Sequence, residues 1–127
     1  MNLEVKLKKL ILLFSHELTG QQEIDARENL KCDEILYMPK KLKEKWQNLG
    51  MERDLEEFKN FLAEVTKKED YVLVQGEWGA TYDMVNYCKE NNLVPIYSST
   101  KREVEERKDG ETILKISKFV HRGFVKY

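Results

Sequence analysis

The chain has 127 residues, 41% of them hydrophobic, which is enough for one domain with a buried core and too few for two. Its 22 Lys and Arg are balanced by 23 Asp and Glu, so the overall charge gives no indication of DNA or membrane binding. No apolar run is long enough to span a membrane, and the two cysteines have no CxxC-type spacing. We therefore expect a single cytoplasmic domain, residues 1–127, with reduced thiols.

Hydrophobic patterns along the chain alternate between strands and helices. Short apolar runs predict strands, and longer stretches with apolar residues at helical spacing predict helices. The predicted elements are strands at 10–14, 35–37, 71–74 and 94–97, helices at 19–30, 54–66 and 80–90, and a lysine-rich connection at 39–49. This order implies right-handed crossovers, and hence an open, mostly parallel sheet with helices on both faces.

The C-terminal part of the chain breaks this alternation. Asp109-Gly110 is a strong two-residue turn between two stretches of strand character, residues 104–107 and 112–116. We expect a β-hairpin here, because aromatic and β-branched residues continue to the C-terminus; a short helix over 102–108 is the alternative. From Thr112 onward the chain has basic residues and no acid, so this segment can bind a compact anion locally.

Three polar segments follow predicted strands at the edge where parallel sheets bind ligands, beyond the carboxyl ends of the strands. They are residues 15–17, 75–81 and 98–102. The third offers the hydroxyls of Ser98, Ser99 and Thr100 beside Lys101 and Arg102, a grouping that suits phosphate oxygens. The alternative is that these are solvated residues at a strand end.

The segment QGEWGAT, residues 75–81, joins a strand to a helix. Gly76 and Gly79 would let the backbone approach a ligand, and the helix N-terminus offers N–H groups to a phosphate. Alternatively the segment is a tight turn with Thr81 as the helix cap. Trp78 has two interpretations as well: it stacks on a base, or it covers the protein's own core.

His16, after the first strand, suits general acid/base work, or it simply bonds a neighbouring carbonyl. Ser15 orients a phosphate or caps the next helix. His121-Arg122 is a phosphate-binding pair or a plain basic edge strand. Metal binding is not expected, because the histidines and cysteines lack ligand spacing, and the absence of GxSxG argues against a Ser-His-Asp hydrolase.

Four segments together carry a resemblance to a known family. They are LLFSHELT (12–19), YVLVQGEWGATYDMVN (71–86), PIYSSTKR (95–102) and the closing FVHRGFVKY. With these segments the chain resembles the small stand-alone CRISPR-associated proteins of type III systems, which have a CARF-like, Rossmann-like domain and include ring nucleases. The resemblance implies an open, mostly parallel sheet of about four strands with helices on both faces, plus a C-terminal β-hairpin.

The resemblance also implies a ligand and a reaction. The ligand is cyclic oligoadenylate, above all cyclic tetra-adenylate, bound across a homodimer and cleaved without metal or cofactor by attack of the ribose 2′-hydroxyl on its own 3′-phosphate. On this basis we assign catalysis to Ser15, His16, Arg102 and His121. Ligand binding is assigned to Gln75, Gly76, Glu77, Trp78, Gly79, Ala80, Thr81, Ser98, Ser99, Thr100, Lys101 and Arg122.

Two other functions are compatible with the same residues. The first is a sponge that binds cyclic oligoadenylate without cutting it, using the same loops. The second is an interaction module that binds no nucleotide and uses the basic hairpin to contact protein or RNA. Tight binding of the ring by the protein would exclude the second.

Overall fold

The computed structural model describes residues 7–51 and 54–127. Its elements are β1 (Lys9–Leu13), α1 (Gly20–Glu28), β2 (Glu34–Tyr37), α2 (Lys40–Gln47), α3 (Glu56–Val65), β3 (Tyr71–Val74), α4 (Trp78–Glu90), β4 (Val94–Asp109) and β5 (Thr112–Lys126). The predicted alternation of strands and helices is confirmed, and the chain is a mixed α/β protein. None of the helices in these two stretches has the length and apolar content to cross a membrane.

The strands form one sheet in the order β2-β1-β3-β4-β5. The pairs β1–β2, β1–β3 and β3–β4 are parallel, and β4–β5 is antiparallel. The sheet is therefore mixed and has five strands, whereas the sequence predicts about four, mostly parallel. The difference arises because β5 pairs along the whole length of β4 and becomes the edge of the sheet instead of a separate hairpin.

The core lies on both faces of the sheet, because consecutive side chains of a buried strand point to opposite sides. Ile11 and Leu13 of β1 face one cluster, which α2, α3 and α4 cover with Trp46, Phe58 and Met84. On the other face, Leu10 and Leu12 pack in a second cluster with Ala26 of α1 and Ile96 of β4. The predicted placement of helices on both faces is confirmed.

The lysine-rich connection is a helix, α2, and this corrects the sequence prediction. Trp46 anchors it: the side chain is 2% exposed and its ring packs edge-to-face on Phe58, with 5.2 Å between centroids. The indole Nε1 donates to the carbonyl oxygen of Gln75 at 3.0 Å. The sequence did not predict this helix, because two of its eight residues, Leu42 and Trp46, are apolar, and two positions are too few to reveal a helical spacing.

The predicted C-terminal hairpin is one part of a longer ribbon. The turn residues are Gly110 and Glu111, one position after the predicted Asp109-Gly110, because Asp109 pairs with Thr112 as part of the ladder. The φ of Gly110 is +63°, a left-handed value that glycine adopts without strain. However, β4 does not end at residue 97 but runs on to Asp109, paired with β5 throughout. The alternative of a short helix at 102–108 is wrong.

Candidate functional site

The strand order reverses between β1 and β3, and this is where an open α/β sheet binds ligands. The chain leaves β1 towards β2 on one side, and leaves β3 towards β4 on the other. Leu13 and Val74 are register partners at the carboxyl ends of the two strands, and the Gln75 amide donates to the Leu13 carbonyl at 3.2 Å. The loop that begins with Ser15 therefore lies beside the loop that begins with Gln75.

A cleft of about 410 Å³ opens at this edge of the sheet. It is lined by Gln75, Gly76, Trp78, Thr81, Tyr82, Val85 and Tyr127. Two of its aromatic side chains are largely exposed, Trp78 by 91% and Tyr82 by 70%. The interpretation of Trp78 as a cover over the protein's own core is therefore wrong. Exposed aromatic rings beside a cleft can stack on a planar ligand.

Gln75 and Thr81 give the cleft its polar groups. The Thr81 hydroxyl is buried and has no hydrogen-bond partner among the described residues. The side-chain oxygen of Gln75 accepts from the Ser98 amide at 2.9 Å, which fixes the orientation of the side-chain amide. Because this oxygen is already used inside the protein, the amide nitrogen of Gln75 is the part that can donate to a ligand.

The N-terminus of α4 is capped by Glu77. Its carboxylate accepts from the amides of Gly79 at 3.1 Å and Ala80 at 2.8 Å. The alternative that Thr81 caps this helix is wrong. A phosphate could reach these N–H groups only by displacing a carboxylate of like charge, so this geometry gives no support to the predicted phosphate cradle. The capping role also explains why an acid stands at position 77.

Gly76 is required by the packing of Trp46. A Cβ at position 76 would lie 2.5 Å from the indole Nε1, which is too close for two non-bonded atoms. Trp46 is held in place by its hydrogen bond to the Gln75 carbonyl and by the buried cluster around it. The glycine predicted to let a ligand approach thus lets the protein's own tryptophan approach.

Gly76→Ala is expected to lower the free energy of unfolding by about 1–3 kcal/mol, because the added methyl displaces Trp46 from a packed core. Urea denaturation followed by tryptophan fluorescence measures this value. Gly20→Ala is the matched control, since a Cβ at Gly20 meets no atom within 4 Å. Equal stability of the Gly76→Ala protein and the unmodified protein would contradict this account of Gly76.

His121 is held in a hydrogen-bonded network that joins α1, β4 and β5. Its Nδ1 lies 2.6 Å from Ser98 Oγ, and its Nε2 lies 2.7 Å from Asp25 Oδ2. Gln22 Nε2 donates to Ser98 Oγ at 3.2 Å. The His121 side chain is 5% exposed and Ser98 is 6% exposed. Both ring nitrogens are thus engaged inside the protein, which argues against the catalytic role assigned to His121 from the sequence.

This network contains a serine, a histidine and an aspartate, but its geometry is structural. Ser98, the residue that would act as nucleophile, is the buried member, and Gln22 already donates to its hydroxyl. Asp25 was not identified from the sequence, since its partner His121 is 96 residues away and nothing in α1 marks this acid among its exposed neighbours. The network fixes β5 to α1.

The pKa of Asp25 is lowered below its ordinary value of 3.8; burial raises it, but hydrogen bonds from Asn29 and His121 outweigh that effect. A carboxyl with a lowered pKa contributes stability above its unfolded pKa, and this contribution is lost as the pH falls through the folded value. We expect the melting temperature to fall less steeply below about pH 4 in Asp25→Asn than in the unmodified protein. Circular dichroism at a series of pH values measures this, with the exposed Glu28→Gln as control; identical pH profiles would contradict it.

The cationic residues predicted to donate to phosphate lie away from the cleft lining. Residues 98–102 are part of β4 and not a loop. Arg102 donates from Nε and Nη2 to Ser117 Oγ across the ribbon, at 3.3 and 3.0 Å. Lys101, Thr100 and Arg122 are exposed, and none of them lines the cleft.

His16 is exposed, with its ring 5.2 Å from that of Phe14, and Ser15 is half-buried next to it. The structure thus leaves one predicted catalytic pair, Ser15 and His16, on the loop after β1, which neighbours the loop after β3, although neither residue lines the cleft. Tyr82 and Tyr127 were missed from the sequence. Tyr82 follows Trp78 at a spacing of four, which puts both on one helix face, and this signal was available.

Tyr127 is the last residue of the chain and forms one wall of the cleft. Its hydroxyl donates to the Val74 carbonyl, and its ring lies 4.9 Å from that of Tyr97. Burial, with a smaller effect from Tyr97, raises the pKa of Tyr127. Tyr127 is therefore fastened to the carboxyl end of β3.

Comparison with known proteins finds one family. A family model described as "Uncharacterized protein MJ1673 family" matches residues 8–125. The protein MJ1673 of Methanocaldococcus jannaschii, also described as uncharacterized, is 50% identical over an alignment of 127 positions that covers 95% of this chain and 98% of that protein. No solved structure matches the chain.

Proposed function

The chain belongs to the Uncharacterized protein MJ1673 family, and we propose that it binds cyclic oligoadenylate, preferably cyclic tetra-adenylate, and cleaves it without a metal ion. The ring is the signal molecule that type III CRISPR systems make, so its cleavage would end the signal. The observation that carries the proposal is the aromatic cleft that the β3–α4 segment and Tyr127 form at the carboxyl end of β3, one of the two strands between which the strand order reverses. The proposal includes a CARF-like, Rossmann-like origin of the domain, with β5 as an antiparallel addition to the parallel strands.

The cleft suits an adenine nucleotide. Trp78 and Tyr82 offer rings on which a base can stack, and such stacking contributes about 1–3 kcal/mol per base. The Gln75 amide nitrogen can donate to a ring nitrogen of adenine. A planar base with acceptor atoms at its edge uses both rings and this donor.

The size of the cleft argues for one nucleotide per chain. About 410 Å³ lies at the lower end of the ~300–1,000 Å³ range of small-molecule sites, so a ring of four nucleotides cannot enter one cleft. A homodimer with a two-fold axis through the ring provides a second, identical cleft. Each chain then supplies a half-site, and each loop is used twice.

The chemistry needs little from the protein beyond alignment and one proton acceptor. The ribose 2′-oxygen attacks the adjacent phosphorus and gives up its proton, while the bond to the 5′-oxygen breaks and that oxygen takes up a proton. The products carry a 2′,3′-cyclic phosphate and a 5′-hydroxyl. Of the two histidines, His121 is engaged with Ser98 and Asp25, so we assign the proton acceptor to the exposed His16.

A sponge that binds the ring without cutting it is the second candidate. The observation in its favour is the cleft lining, Gln75, Gly76, Trp78, Thr81, Tyr82, Val85 and Tyr127, which contains no lysine, arginine or histidine. Stabilising the charged phosphorane ordinarily uses such a cation. Binding and cleavage must therefore be measured separately.

Titration calorimetry of the purified protein with cyclic tetra-adenylate tests the binding claim. The expected result is tight binding with one ring per two chains, and weaker binding of linear oligoadenylate. Adenosine monophosphate serves as the control for a single base in a single cleft. If the ring produces no heat and does not shift the melting temperature, both the ring nuclease and the sponge are excluded, and an interaction module remains.

A further inference from the structure

The ribbon of β4 and β5 extends well beyond the rest of the sheet. β3 pairs with β4 only as far as Leu73 with Ile96, whereas β4 and β5 stay paired from Thr100 with His121 to Asp109 with Thr112. In the described part of the chain this outer ladder has no further strand beside it. We call these residues, 100–109 and 112–121, the arm.

The arm exposes apolar side chains on both of its faces. Val104 and Phe119 belong to one face and are 56% and 71% exposed. Leu114 belongs to the other face and is 48% exposed. Isolated two-stranded hairpins are marginally stable at best in water, because neither face is covered. The arm therefore needs further burial to hold this length of ladder.

Contacts within the arm do not supply that stability. Lys118 lies 3.3 Å from Glu105 and Lys115 lies 3.9 Å from Glu106, but all four side chains are more than 40% exposed. Exposed ion pairs of this kind contribute little to stability, because water and salt screen the charges. Nothing within residues 7–51 and 54–127 supplies the missing burial, and we look for it in a second molecule.

The charge of the arm favours a second copy of this chain over a nucleic acid or an anionic membrane. The arm and its turn contain six basic residues and five acidic ones, at 101, 102, 107, 108, 115 and 118 against 103, 105, 106, 109 and 111. The β4 half of the arm carries an acidic stretch, 103–106, and the β5 half a basic one, 115–118, with Glu103 opposite Lys118 and Glu106 opposite Lys115. Two antiparallel arms related by a two-fold axis can therefore place each acidic stripe against the partner's basic stripe.

The area of the arm also suits a dimer. Ten residue pairs make a ribbon about 33 Å long and about 10 Å wide, so that covering both faces and an edge approaches the ~800 Å² per partner of a standard interface. We propose that the arm is the dimerisation element of this protein, covered by a second copy of the same chain. This inference rests on the proposed function in one respect, the two-fold arrangement of the chains. The arm would then be the surface that brings two clefts to one ring.

Sedimentation velocity of the full chain without nucleotide tests this inference separately from the proposed function. We expect the unmodified protein to be a dimer at micromolar concentration. Val104→Thr together with Phe119→Thr removes apolar area from one face and keeps β-branched residues in the strands. This variant is expected to dimerise about 10- to 100-fold more weakly. Met51→Thr, at a fully exposed position outside the arm, is the control.

A monomeric unmodified protein, or a double variant that dimerises as well as the unmodified chain, would overturn the inference. If the double variant fails to fold, hydrogen exchange of the unmodified chain decides the question. Amides of residues 100–121 should then be protected at high protein concentration and lose that protection on dilution. Protection that does not change with concentration would overturn the inference even if the protein binds or cleaves the ring.

Discussion

His16→Ala is expected to slow the cleavage of cyclic tetra-adenylate by about 10²–10⁴-fold, the range that general acid/base groups contribute, with ring affinity changed little. We assign this role to His16 because of its position. His16 follows β1 at the carboxyl edge, on the loop beside the one that begins at Gln75, and its side chain is exposed. A proton acceptor is needed in the transition state and not for binding, so its loss lowers the rate rather than the affinity.

Single-turnover cleavage with the ring at saturating enzyme measures the chemical step directly. Glu17→Gln is the matched control, because Glu17 is the exposed neighbour on the same loop. The melting temperature of both variants should equal that of the unmodified protein. If His16→Ala cleaves at the unmodified rate, His16 is not the proton acceptor, and alignment of the 2′-hydroxyl alone must account for the reaction.

Trp78→Ala is expected to weaken ring binding by about 1–3 kcal/mol per cleft, which is roughly 5- to 150-fold in affinity for one stacked base. The side chain is 91% exposed, so the substitution removes a ligand contact and leaves the protein core intact. The free energy of unfolding should therefore stay the same. Calorimetric titration with the ring gives the affinity, and urea denaturation gives the stability.

Two further variants make this prediction specific to stacking. Trp78→Phe retains an aromatic face and should recover most of the affinity. Met51→Ala removes a comparably exposed apolar side chain outside the cleft and should have no effect on binding. Unchanged affinity in Trp78→Ala would show that the base does not stack on this residue, and equal losses in Trp78→Ala and Trp78→Phe would argue against stacking as the cause.

Much of the fold could be predicted from the sequence, because local patterns reflect burial. β3 was predicted with its observed bounds, since YVLV is a continuous apolar run between polar segments. The start of the helix predicted at 19–30 is confirmed, since Thr19 caps α1 and forms a capping box with Gln22. The extent of β4 could not be predicted, because residues 101–109 are mostly charged and become a strand only through pairing with β5.

The candidate site was chosen by topology, but the contacts within it were not predictable from the sequence. The rule for open sheets selects the loops after β1 and β3 as soon as the strands are identified. The clash that requires Gly76 depends on Trp46, which is distant in sequence and was assigned to a connection. Likewise, the bond between His121 and Asp25 joins two ends of the chain, and no local pattern reports such a pair.

The most direct test of the central claim is to incubate the purified protein with cyclic tetra-adenylate in excess EDTA and to analyse the products by chromatography with mass detection. The account predicts linear adenylates that end in a 2′,3′-cyclic phosphate, formed without metal. Intact ring that co-elutes with the protein would contradict cleavage and leave a sponge. Intact ring that remains free in solution would contradict the nucleotide function altogether.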